Sequence, residues 1–123
     1  MINLSGMWLG TYWQQGVPTR FEMTLLQGRN TLSGNILDDG SLGEASLVGE
    51  ATGRNVRFSK RYLGGLCHTV RYLGIVSDDG NFMQGQWLIQ ALDRGHWEAH
   101  RRDENLSLDR ETQSVDRLPM APS

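Results

Sequence analysis

The chain has 123 residues, of which 38% are hydrophobic, and a formal net charge of −2 at pH 7. That length sets a single domain with room for a core, and so small a charge excludes the basic field on which a nucleic-acid binder depends. Cys67, the only cysteine, rules out an intrachain disulfide and leaves any zinc site without paired thiolates.

Taken in chain order, the sequence predicts eight strands. The opening residues Met1 to Gly6 show neither a basic n-region nor an apolar h-region, and no apolar run nears the roughly 20 residues of a membrane helix, so a cytoplasmic protein without membrane contact is expected. The first strand-like stretch, Trp8–Gln15, ends in Gly16-Val17-Pro18, where proline presets φ and cannot donate to a ladder. Arg20–Gln27 and Thr31–Leu37 follow, separated by Gly28-Arg29-Asn30. Asp38-Asp39-Gly40 reads as a hairpin turn before Glu44–Thr52, and Gly53-Arg54-Asn55 leads into Asn55–Tyr62. Thr69–Ser77 is closed by Asp78-Asp79-Gly80, Phe82–Gln90 by Asp93-Arg94-Gly95, and His96–Arg101 is last. No window shows a 3.6-residue apolar period, so no long helix is expected. Short links make sequence neighbours spatial neighbours. An eight-strand meander with no helix to cover it hides its apolar face most cheaply by closing on itself. The fold class is therefore all-β: an eight-stranded antiparallel up-and-down β-barrel over residues 1–102. Residues 103–123 carry five acidic and two basic side chains and two prolines, and read as a disordered acidic tail.

Alternation separates an inner from an outer row. Trp8, Gly10, Tyr12 and Gln14 share one face of the first stretch. Phe21, Met23 and Leu25 point inward in the second, and Val56, Phe58, Lys60 and Tyr62 in the fifth. Val70, Tyr72, Gly74 and Val76, then Met83, Gly85, Trp87 and Ile89, then Trp97, Ala99 and Arg101 complete the set. This row holds most of the aromatic area and the only lysine among twelve basic residues. An ammonium inside a barrel is costly unless paired. The expected site is a cavity at one mouth. Trp8, Tyr12, Tyr62, Trp87 and Trp97 supply contact area there, and Gln14, Lys60 and Tyr72 supply polar groups. Lys60 suits a carboxylate or phosphate on the ligand.

Gly6-x-Trp8, Gln86-Trp87-Leu88-Ile89 and Gly95-His96 together resemble the avidin and streptavidin barrels, which open on Gly-x-Trp-x-Asn, carry Gln-Trp-Leu-Leu and close on Gly-His-Asp-x-Phe. The resemblance spans most of residues 4–101. It implies a calycin-type, lipocalin-like barrel with a ligand cavity at one mouth and a contact role for Trp87. Gly10 stands where that family has its ureido-binding asparagine and Trp97 where it has its aspartate, so a bacterial branch that lacks the biotin-binding polar residues is expected.

The functional expectation is thus a protein that binds a small apolar or aromatic ligand, with room for an anionic group on it, and with no cofactor and no metal. A competing reading is a packed structural or interaction barrel acting through its outer face. On either reading a homo-oligomer is expected, with Leu9, Trp13 and Leu88, apolar yet outward in phase, at its interface. Gly6-x-Trp8-x-Gly10 also resembles the opening of nitrobindin-type haem barrels, which require an inward histidine. His96 and His100 share the outward phase, and four residues of strand (about 13 Å) hold them too far apart for one metal. No enzyme is indicated. Cys67-His68 has no recognisable third group, and turn chemistry accounts for the carboxylates of Asp38/Asp39 and Asp78/Asp79.

Overall fold

The computed structural model describes residues 2–40, 42–64, 69–90 and 93–102. The expected tail and the Cys67-His68 pair lie outside the described residues. The strands are β1 (Gly6–Gln14), β2 (Val17–Gly28), β3 (Thr31–Asp38), β4 (Glu44–Thr52), β5 (Asn55–Tyr62), β6 (Thr69–Val76), β7 (Phe82–Ile89) and β8 (Asp93–Arg101). Each pairs antiparallel with the next, and β1 pairs with β8 through Trp8↔Arg101 to Tyr12↔Trp97, which closes the barrel. The described residues include no helix long and apolar enough to cross a membrane.

Period-2 alternation governs every wall. In β5 the burial runs Val56, Phe58, Lys60, Tyr62 against exposed or half-buried Asn55, Arg57, Ser59, Arg61. Midway along the barrel Phe58 stacks on Tyr72 at 4.8 Å between centroids, and Trp97 meets both edge-on at 5.8 and 5.4 Å. Room for these rings comes from glycine. A Cβ on Gly74 would lie 2.6 Å from the Trp97 ring, and one on Gly85, directly opposite Gly74, would lie 1.8 Å from the Leu73 carbonyl oxygen.

The two ends differ. At one, the segment before β1 folds across the opening and buries Leu4, whose carbonyl accepts the Trp8 indole N–H at 3.0 Å. Arg101 fixes that segment. Its guanidinium lies 4.7 Å over the Trp8 ring and donates to the carbonyls of Asn3, Ser5 and Gly80. We call this the sealed end. The other end, where β1, β3, β5 and β7 finish, carries the cavity described below.

Three links depart from expectation. The first turn is Gln15-Gly16, with φ of 51° and 80°, so Val17 and Pro18 belong to β2. A proline is tolerated near a strand start. Asp93-Arg94-Gly95 is strand rather than turn, because Gly95 lies opposite Trp87 and a Cβ there would sit 2.6 Å from that indole. Most consequentially, β3 runs on through Asp38.

Candidate functional site

Asp38 follows Leu32 and Ile36 on the inner phase of β3, so its carboxylate enters the barrel instead of bracing a turn. The expectation that turn chemistry accounts for it is corrected. Only its backbone serves the link, accepting from the Gly40 N–H at 3.1 Å and donating to the Gly43 carbonyl at 2.9 Å. Its side chain meets Lys60, which β5 brings inward by the same alternation. Lys60 Nζ donates to Asp38 Oδ1 at 2.7 Å, and the two side chains are 0% and 1% exposed. A carboxylate accepts only, so the Tyr12 and Tyr62 hydroxyls donate to Oδ2, at 3.1 and 2.6 Å. Around the ammonium, the Tyr12 and Tyr62 rings lie at 4.8 Å, Tyr72 at 5.7 Å and Phe21 at 5.8 Å. Ring faces attract a cation at such distances. Among the described residues no buried side-chain nitrogen or oxygen lacks a hydrogen-bond partner.

The electrostatics follow from burial beside one negative charge. Desolvation holds the Lys60 ammonium below the usual lysine range, and Asp38 opposes that shift. Tyr62 is pushed far above the usual phenol range, first by burial and then by its bond to Asp38 and the charge of Asp38. Burial and the same charge raise Tyr72, while burial raises Tyr12 against partial compensation from Tyr62 and Thr19.

Above this cluster lies a cavity of about 170 Å³, lined by Tyr12, Gln14, Leu42, Tyr62, Val70, Tyr72, Trp87 and Ile89. Of the residues expected from sequence, Tyr12, Gln14, Tyr62, Tyr72 and Trp87 therefore stand together at the cavity. Lys60 lies behind the tyrosine rings, bonded to Asp38. Trp97 is in the packed middle, its indole N–H on the Leu73 carbonyl at 3.1 Å, and Trp8 is at the sealed end. Those two do not border the cavity. The Trp87 ring is held by its N–H donating to the Trp13 carbonyl at 3.0 Å, and Gln14 by Nε2 donating to Asp93 Oδ2 at 2.9 Å.

The outer wall carries a larger concavity, about 730 Å³, bordered among others by Leu9, Thr11, Arg20, Glu22, Leu37 and His100. Leu9 and Leu37 are 43% and 53% exposed there. His96 stacks on Trp13 at 5.6 Å and His100 meets Phe82 at 4.7 Å; both histidines are exposed on the outer wall and neither enters the barrel interior.

No protein-family model matches the chain, and no curated protein matches it in sequence. The class that fold and geometry define is a closed eight-stranded antiparallel barrel, compatible with a calycin-like fold, with a buried polar cluster beneath one mouth.

Proposed function

We propose that this is a small-molecule-binding barrel whose ligand occupies the cavity over Asp38 and Lys60. The observation that carries the reading is a wholly desolvated ion pair, wrapped by tyrosines, directly beneath a cavity in an otherwise apolar core. Such a pair adds little stability compared with apolar side chains of the same size, because desolvation offsets its Coulombic gain. Stability therefore does not require charges there, and a polar floor under a small cavity gives them a use. An avidin-like relation belongs to this reading at the level of the scaffold. It stops short of biotin, since Phe21 occupies the space a side chain on Gly10 would need and the Trp97 indole is turned to Leu73.

Filling the cavity is the test. Val70→Phe, with its ring in the mouth, abolishes the thermal shifts that a fragment library gives with the parent, whereas Leu9→Ser on the outer wall leaves them intact. Fragment responses that survive Val70→Phe and vanish with Leu9→Ser transfer the function to the outer wall.

The concavity around Leu9 and Leu37 favours a second reading, in which that wall is where copies of the chain associate. Trp13 and Leu88 are half-buried on the outer face but are not among the residues that border it.

A further inference from the structure

Arginine gathers on one outer wall of the barrel. Arg57 and Arg61 stand on the outward phase of β5, on either side of Ser59, and Arg71 lies directly opposite Ser59 on β6. Cross-strand and diagonal neighbours on one face lie about 5–8 Å apart, so the three positive charges repel one another. Glu50 meets Arg57 at 3.4 Å, between side chains that are both exposed. Among the described residues Arg61 and Arg71 have no ion pair and no side-chain hydrogen bond.

Apolar side chains share this wall. Leu73 and Ile75, which follow Arg71 on the outward phase of β6, are 42% and 55% exposed. They border a groove of about 470 Å³ together with Arg57, Glu50, Gln84 and Gln86. Its occupant must bring both aliphatic groups and negative charge. The concavity around Leu9 and Leu37 suits something else, because Glu22, Asp39 and Glu98 outnumber Arg20 there.

The chain itself carries a segment of that chemistry. Residues 103–123 hold five acidic and two basic side chains, and at their start Asp103, Glu104 and Asp109 flank Leu106 and Leu108. An extended backbone puts those two leucines on one side. The segment also begins within reach. β8 delivers Arg102 to the sealed end, where its N–H donates to the Met7 carbonyl at 2.8 Å. Ile75, Gln84 and Glu98 are level across β6, β7 and β8. From Arg102 to Ile75 the path is thus four residues back along the wall and two strands sideways, roughly 16 Å. Residues 103–108, extended, cover about 20 Å. The 77–81 link stands on that path, with its Asp78 already paired to Arg54 at 2.8 Å. Tethering holds the segment near the groove at an effective concentration on the order of mM, so modest contacts suffice.

We propose that the outer wall of β5, β6 and β7 is the docking surface for the chain's own acidic C-terminal segment. Leu106 and Leu108 lie against Leu73 and Ile75, and the flanking carboxylates stand beside Arg57 and Arg71.

A nitroxide on Ser107→Cys, in full-length ¹⁵N-labelled Cys67→Ser protein, reads the position of the segment. The amides of Leu73, Ile75 and Gln86 are expected to lose most of their NMR intensity. Those of Leu9 and Glu22, on the wall to the other side of β8, are expected to keep theirs. About 1 M salt shortens the reach of charge to about 3 Å and is expected to restore the groove amides. The double variant Arg57→Gln/Arg71→Gln should do the same with the folded spectrum kept, since both side chains are exposed. Equal broadening of the two walls shows a segment that does not dock and overturns the proposal. Groove broadening that survives both salt and the double variant overturns the pairing of carboxylates with arginines. Groove broadening in nitroxide-free ¹⁵N protein, when it is mixed with nitroxide-bearing unlabelled protein, puts a second copy's segment in the groove and overturns docking within one chain.

Discussion

Lys60 is the only lysine in the chain, and the cavity end is assembled around its ammonium: one carboxylate, two hydroxyls on that carboxylate, and ring faces on the remaining sides. Removing one charge leaves the other buried and unpaired, so Asp38→Asn and Lys60→Met are each expected to cost about 3–5 kcal/mol in urea unfolding. The double variant keeps an acceptor for the tyrosines and no net charge. It should recover much of the loss, with a coupling of about 2–3 kcal/mol; simply additive losses would show that the pair is not a unit. The tyrosines give a second check. Tyr12, Tyr62 and Tyr72 are the only three in the sequence, and all are raised in the folded state. The native barrel thus holds their protons more firmly than the unfolded chain. This stability is complete below about pH 10 and lost as pH climbs above it, by up to roughly 1.4 kcal/mol per unit for each group. Lys60, lowered in the folded state, works in the opposite direction over the alkaline range but is one group against three. Tyrosinate absorbance should stay flat past pH 10 and then rise together with loss of tryptophan signal; a gradual rise in a still-folded protein would contradict the burial. At this scale the sequence was half legible. Lys60 could be placed by its phase with Val56 and Phe58. Asp38 has the same phase with Leu32 and Ile36, but its neighbours Asp39 and Gly40 form a strong turn signal that masks it. The need of a buried lysine for a counter-charge was the cue that identifies it.

Strands were legible because alternation is a physical requirement of a two-faced wall: one slip in register would turn Phe58 and Lys60 out and Arg57 and Ser59 in. Links were less so. Gln15 and Gln90 take positive φ without being glycine, and composition gives no hint of that. Conversely Gly95 looks like a turn residue and is in β8, where the Trp87 indole covers it. Where β6 meets β7, Gly74 faces Gly85, with the Leu73 carbonyl oxygen in the space of the absent Gly85 Cβ. Gly85→Ala must push strands β6 and β7 apart, and a loss of about 1–3 kcal/mol is expected. Gly40→Ala meets nothing within 4 Å in the β3–β4 link and should stay within about 0.5 kcal/mol of the parent. Equal tolerance of both in chemical denaturation would show that the close approach of β6 and β7 does not constrain the barrel.

The whole molecule is asymmetric along its axis. Leu4, Trp8 and Arg101 shut one end, rings fill the middle, and a neutralised ion pair floors a small cavity at the other. Closure itself could be argued from sequence, since eight strands without a covering helix have few other ways to hide an apolar face. The polar floor of that cavity could not, because it exists only when β1, β3 and β5 bring Tyr12, Asp38 and Tyr62 to one point. The central claim is that ligands enter over that point. Crystals of the protein soaked with a library of single-ring fragments test it most directly. Density for bound fragments is predicted in the cavity, in contact with Tyr12, Tyr62 and Trp87 and above the Asp38–Lys60 pair. Fragments found only on the outer wall around Leu9 and Leu37, with the mouth empty across the whole library, would contradict the account.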